Sequence, residues 1–179
     1  MCKPRISGPL SFRPINANVK ENHAGKGDYG KCERFYSTQY SDKKEDGIQI
    51  GRPLIRKTFY AASSNTLGES ESEKPEFEKA DLLEKLKHPN IVEYVLIDPK
   101  HKTIIMEDTG FSLAEIRETV RFSFYEELYI FLKVLDGVQY LHDRDICHND
   151  IYEGNITLKK DGTVKIIDFG SAEKTCPES

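Results

Sequence analysis

The stretch from His148 to Gly170 constrains this chain more than any other part of it. It reads HNDIYEGNITLKKDGTVKIIDFG. Asp150 and Asn155 stand five residues apart in a polar loop. Two short β-rich runs follow, NITL at 155–158 and TVKIID at 163–168, and the second leads into Asp168-Phe169-Gly170. The Asn155 amide and the Asp168 carboxylate offer the oxygen atoms that a hard cation such as Mg²⁺ prefers. Taken singly, the first group also reads as a polar turn after a helix, and the DFG tripeptide is common by chance.

Two further motifs lie upstream. Gly25-Lys26-Gly27-Asp28-Tyr29-Gly30 is a G-x-G-x-x-G loop, in which the lack of Cβ atoms lets backbone N–H groups approach a phosphate. Alone it is a glycine-rich turn as readily as a binding loop. A dinucleotide site wants a helix directly after such a loop. Here KCERFYS follows, which is strand-like. Farther on, Ile55 and Lys57 share one face of a strand in LIRK. A strand lysine by itself is ordinarily a solvated lysine.

The order of elements is strands, helix, strands, helices and small hairpins, an α+β pattern. Residues 1–14 hold three prolines and few apolar positions, and are expected to be a loose leader. Charged 41–47 and polar 63–74 read as solvated loops. Phe77, Ala80, Leu83 and Leu86 fall on one helical face, and that helix is expected to run to His88-Pro89. Strands are expected near 91–97 and 103–107. Ser112-x-x-Glu115 and Ser123-x-x-Glu126 are capping boxes that open two helices. The second should reach about His142, with Leu128, Phe131, Leu135 and Val138 as its apolar stripe.

Length and charge narrow the classes. A chain of 179 residues can bury roughly 70% of its unfolded surface. The net charge of −4 gives no sign of a nucleic-acid partner. No stretch approaches the ~20 apolar residues that span a bilayer, so no membrane role is expected. Cys2, Cys32, Cys147 and Cys176 are scattered and form no CxxC pair, which speaks for a reduced, intracellular protein, cytoplasmic or nuclear.

All four motifs in this order resemble a eukaryotic protein kinase domain, and the match runs from about Ala24 to Ala172. LLEKLKHPNIV resembles the end of the family's helix C, IIMEDTGFSL its hinge, GVQYLHDRDICHND the entry to its catalytic loop and DGTVKIIDFGSA its metal-binding hairpin. The resemblance implies an antiparallel-sheet small lobe over 15–108 and the front half of a mainly helical large lobe over 109–179. It implies ATP and Mg²⁺ as cofactors. Gly25, Gly27, Gly30, Cys32, Ile55, Lys57, Met106, Glu107 and Thr109 would then line the nucleotide site, with Met106 as gatekeeper. Asn155 and Asp168 would hold the metal. Lys57 and Asp150 would be the catalytic pair, with Asp150 taking or orienting the acceptor hydroxyl proton.

The sequence departs from the family pattern in four places. Alignment on LKHPN puts Lys79 where helix C carries the glutamate that pairs with the strand lysine. A lysine facing Lys57 would repel it, so either Glu76 or Glu78 substitutes or the pair is lost. The arginine before the catalytic aspartate is Asn149. The lysine two residues after it is Tyr152, and the string CHNDIYEGNI is also similar to choline and aminoglycoside kinases. The sequence stops nine residues after Gly170, before any A-P-E segment. Three functions stay open: a serine/threonine kinase, a kinase-like binding or regulatory module, and a small-molecule phosphotransferase. The partner would be a protein substrate or another kinase. Self-association through the large-lobe surface is a further expectation.

Overall fold

The computed structural model describes residues 12–14, 23–27, 30–37, 51–60 and 76–174. The expected leader up to residue 11, the 41–47 and 63–74 segments and the Asp28-Tyr29 pair lie outside the described residues.

Among the described residues, six strands make one antiparallel sheet. They are β1 (Phe12–Pro14), β2 (His23–Gly27), β3 (Gly30–Ser37), β4 (Pro53–Phe59), β5 (Tyr94–Asp98) and β6 (Thr103–Glu107). The order is β1-β3-β4-β6-β5, and β2 shares the outer edge of β3 with β1. Phe12–Pro14, at the end of the expected leader, thus pairs with Phe35–Ser37. The register sets Cys32 opposite Lys57, Lys57 opposite Ile104 and Ile55 opposite Met106. Alternation along the strands then splits the apolar residues between two faces. Phe35, Leu54 and Ile105 bury on one, while Ile104, Met106 and Tyr94 bury on the other.

The second face is covered by a short helix. A 3₁₀ turn, Glu76–Lys79, runs into α1 (Ala80–Leu83). Phe77, Leu83 and Leu86 are buried, as the periodicity anticipates. The helix is shorter than expected, however. Past Leu83 the chain continues through Lys85 N–H to Leu82 O and Leu86 N–H to Leu83 O bonds, three-residue turns that bring it to His88-Pro89. Proline disfavours the helical conformation in the residue before it, and tight turns still seat Leu86 in the core.

The second half holds β7 (Phe111–Ser112), α2 (Leu113–Arg117), α3 (Phe124–His142), β8 (Ile146–Cys147), β9 (Ile156–Leu158), β10 (Val164–Ile166) and β11 (Glu173–Lys174). Both capping boxes form: Ser112 and Ser123 accept from the backbone N–H of Glu115 and Glu126, whose carboxylates reach back. The hairpin β9–β10 pairs on its other side with β7, and β8 pairs with β11.

The fold buries only part of the apolar stripe expected on α3. Ile130, Gly137 and Leu141 are its buried residues, with Val134 and Val138 packed against the core. Leu128, Phe131 and Leu135 are exposed, at 42%, 57% and 45%. The helix carries apolar residues almost all round, so spacing alone could not choose the face. Gly137 decides it. A Cβ there would lie 2.9 Å from Ile166 Cδ1 and 3.2 Å from the Asn90 carbonyl, so α3 crosses β10 where it has no side chain.

A single core cluster joins the two halves: Phe77, Leu83, Tyr94 and Ile104 from the sheet side meet Leu141, Ile146, Ile166 and Phe169. Phe169 has no exposed surface. Full burial of such a ring contributes roughly 1.5–3 kcal/mol.

Candidate active site

Lys57 stands at mid-strand in β4, on the face turned to the helix. Its Nζ lies 2.7 Å from Glu76 Oε2 and 3.0 Å from Asp168 Oδ1. Burial works against the ammonium, but the Glu76 and Asp168 carboxylates outweigh it and hold the pKa above the ordinary lysine value. Lys57 is therefore charged and aimed at the place where Asp168 projects.

Glu76 settles the choice left open by the sequence. It is 1% exposed and accepts three hydrogen bonds: from Lys57, from the Tyr94 hydroxyl at 2.6 Å and from the Phe169 backbone N–H at 3.2 Å. A buried carboxylate is tolerated only when paired and hydrogen-bonded in this way. Burial and the Glu76 charge push the Tyr94 phenol well above its ordinary pKa, so it remains a donor. Glu78 is exposed. Lys79 does not face Lys57, contrary to the repulsion feared from the alignment. It donates to the carbonyls of Gly170 and Ala172.

Asp150 and Asn155 are in direct contact. Asn155 is buried, and its Nδ2 donates to Asp150 O at 3.0 Å and to Asp150 Oδ2 at 2.7 Å. That leaves the Asn155 amide oxygen as the atom able to meet a cation. Asp168 has φ 59°, in the left-handed region, with its side chain 41% exposed. Asn149 also has positive φ, 63°, and donates to Ser171 O at 3.2 Å. The tyrosine at 152 is 57% exposed, and its ring lies so close over Gly154 that a Cβ there would come within 2.5 Å of it.

His148 was not assigned a role from sequence, yet it holds this loop. Its imidazole bridges the Ile167 carbonyl at 3.1 Å and the Asp150 backbone N–H at 3.3 Å, and it packs edge-on against Phe169. Burial lowers its pKa, so the ring is neutral, with Nε2–H donating and Nδ1 accepting.

The hinge is more mixed. Met106 and Thr109 are buried. The Glu107 side chain turns to Lys165 and to Lys159 at 3.1 Å, and accepts from Glu93 N–H at 3.0 Å. Burial raises its pKa, but the two lysines and that N–H bring it below the usual carboxylate value. The Glu107 carboxylate is therefore engaged within the fold. Sequence reasoning also missed the Arg34–Asp108 pair at 2.5 Å, which ties β3 to the hinge. Nothing in the spacing of those two residues, 74 apart, signals it.

In the glycine loop, Gly25 and Gly27 lie in β2, and Gly27 pairs with Gly30. Gly30 has a packing reason of its own, since a Cβ would sit 2.7 Å from the Thr58 carbonyl. Cys32 is half-buried opposite Lys57, and burial raises its thiol pKa although Lys57 opposes this. A cleft of about 790 Å³ opens elsewhere, beside Lys79, Leu82, Leu86, Ile146 and Ala172, and none of the expected nucleotide-site residues lines it. Among the described residues there is no group of three or more His, Cys, Asp or Glu able to hold a metal by protein ligands alone. No helix among the described residues is long and apolar enough to cross a membrane.

A strand lysine locked to a helix carboxylate, beside a D-x-x-x-x-N loop and a DFG turn, defines a protein-kinase-like α+β fold and site. The protein kinase domain model matches residues 19–179, and the chain belongs to that family. It is 29% identical over 160 residues to serine/threonine-protein kinase STK11 of Gallus gallus, covering 86% of this chain and 34% of that protein. It is 34% identical over 169 residues to MAP3K epsilon protein kinase 2 of Arabidopsis thaliana, covering 89% of this chain and 11% of that one. Against serine/threonine-protein kinase Tao of Drosophila melanogaster it is 39% identical over 99 residues, 53% of this chain and 10% of the relative. The chain thus spans no more than about a third of the length of these relatives.

Proposed function

We propose that this chain carries the nucleotide-binding and catalytic front of an ATP- and Mg²⁺-dependent kinase that phosphorylates Ser/Thr hydroxyls of a protein. One observation carries the reading: Lys57 bridges Glu76 and Asp168, at 2.7 and 3.0 Å, so a cation for phosphates and a carboxylate for the metal are held side by side.

Each residue then has one task. Backbone N–H groups of the Gly25–Gly30 loop and the Lys57 ammonium bind the phosphates, while Cys32, Ile55 and Met106 flank the base and the hinge backbone from Glu107 to Thr109 reads its edge. Asn155 and Asp168 would hold Mg²⁺, which neutralises charge on the transferring phosphoryl group. Asp150, exposed and oriented by Asn155, orients the acceptor hydroxyl and takes its proton. His148 and Phe169 fix the loop from within.

A second reading, a kinase-like binding or regulatory module, is favoured by Tyr152. Its ring folds onto Gly154 and supplies no cation beside Asp150. The exposed α3 face around Leu128, Phe131 and Leu135 offers a contact for another protein or a second copy. An intracellular site, cytoplasmic or nuclear, fits both readings. Transfer of labelled phosphate from ATP to a Ser/Thr peptide library separates them. Activity that vanishes in Asp150→Asn while ATP binding persists supports the kinase. Nucleotide binding without any transfer supports the module.

A further inference from the structure

Asp168 holds a left-handed backbone conformation, φ 59°, which a non-glycine residue adopts at a cost. Such a conformation persists where its surroundings over-determine it. Immediately beyond it the chain is held at every step. Phe169 N–H donates to Glu76 Oε1 at 3.2 Å, and Gly170 N–H donates to Asp168 Oδ1 at 3.3 Å. The carbonyls of Gly170, Ser171 and Ala172 each accept from a side chain: Gly170 and Ala172 from Lys79, the latter at 2.9 Å, and Ser171 from Asn149 at 3.2 Å. Glu76 and Lys79 are three residues apart in a 3₁₀ turn, where such positions eclipse. One helical face therefore grips Lys57 and a backbone N–H with its carboxylate, and two backbone carbonyls with its ammonium.

We propose that Lys79 is a positioning residue for Asp168. Its ammonium pins the backbone two and four residues after Asp168, and so keeps the Asp168 carboxylate beside Lys57, where the metal would be held. Hydrogen bonds from a charged donor are the stronger kind, and one ammonium making two of them resists rotation of the whole turn. The inference deepens the nucleotide-and-metal reading above and rests on it. A purely structural lysine would stabilise the fold without affecting metal and nucleotide binding separately.

Calorimetric titration of the full chain with ATP, first in EDTA and then in excess Mg²⁺, tells these apart. For Lys79→Gln we expect metal-free ATP affinity within twofold of wild type, and an Mg²⁺-dependent gain in affinity reduced at least fivefold. Lys79→Arg keeps two donors on a cation and should restore at least half of that gain on a logarithmic scale. An unchanged gain in Lys79→Gln, or an equal loss with and without metal, overturns the proposal. If Lys79→Gln does not fold, Asn149→Ala serves, since it removes the Ser171 bond from an exposed residue of the same ladder. Its gain should also fall, and an undiminished one overturns the proposal. A wild-type chain that binds ATP under neither condition overturns the nucleotide reading itself. Wild-type binding whose metal gain ignores Lys79 and Asn149 overturns only the role given to Lys79.

Discussion

Lys57 and Glu76 are joined at 2.7 Å by a salt bridge whose carboxylate is three residues earlier than alignment on LKHPN places it. The chain accommodates the shift by starting the helix as a 3₁₀ turn and by ending regular α-helix at Leu83. Glu76→Ala should then destabilise the fold by about 3–5 kcal/mol, the range for removing one partner of a buried pair. Glu78→Ala, on the exposed side, should stay within about 0.5 kcal/mol. Urea unfolding of both variants checks this. Equal effects would mean that the carboxylate has been misassigned.

Tyr94 completes the carboxylate's partners from β5. Tyr94→Phe keeps the ring packed near Phe169, 6.2 Å between centroids, and removes only the hydroxyl. A hydrogen bond to a charged group is worth about 1.5–3 kcal/mol, so a loss of that order is expected in thermal unfolding. No loss would show that the phenol and Glu76 are not bonded in solution.

Gly137→Ala sets helix propensity against packing. Alanine favours the helix interior by about 1 kcal/mol over glycine. The added methyl meets the Asn90 carbonyl at 3.2 Å and the flexible tip of Ile166 at 2.9 Å. Overpacking a core costs about 1–3 kcal/mol, so the substitution should be neutral to destabilising and never stabilising. A raised melting temperature would contradict the placement of α3.

Much of this architecture is legible in the sequence, for physical reasons that differ by element. Capping boxes at Ser112 and Ser123 are local chemistry, and both helices start where they say. The strand alternation around Ile55 and Lys57 and the DFG turn after VKII are likewise local patterns. The buried face of α3 is not, because Phe131 and Leu135 look as apolar as Ile130 and Leu141 until β10 is in place. Glu76 was one of two candidates because its partners, Lys57, Tyr94 and Phe169, are brought to it only by tertiary packing. The turning of Glu107 toward Lys159 and Lys165 depends in the same way on the β9–β10 hairpin and carries no sequence signal.

That buried Glu107 cluster makes a pH prediction. Its folded pKa is depressed, so its contribution to stability is fully present above the ordinary carboxylate value of 4.5 and is lost as pH falls through the lower folded value. Glu107→Gln removes the titrating group. Its unfolding free energy should therefore fall less steeply than that of wild type below pH 4.5. Parallel curves for the two proteins would show that Glu107 is not held ionised by Lys159 and Lys165.

The claim that Lys57 centres a nucleotide site is tested most directly by thermal unfolding with and without ATP and Mg²⁺. Ligand at a hundred times Kd stabilises the folded state by about 2.7 kcal/mol. Wild type should show a stabilisation of that order at saturation. Lys57→Ala and Asp168→Ala should lose most of it, relative to their own ligand-free melting temperatures. A folded wild-type chain that does not shift at millimolar ATP, or variants that shift as fully as wild type, would contradict the account.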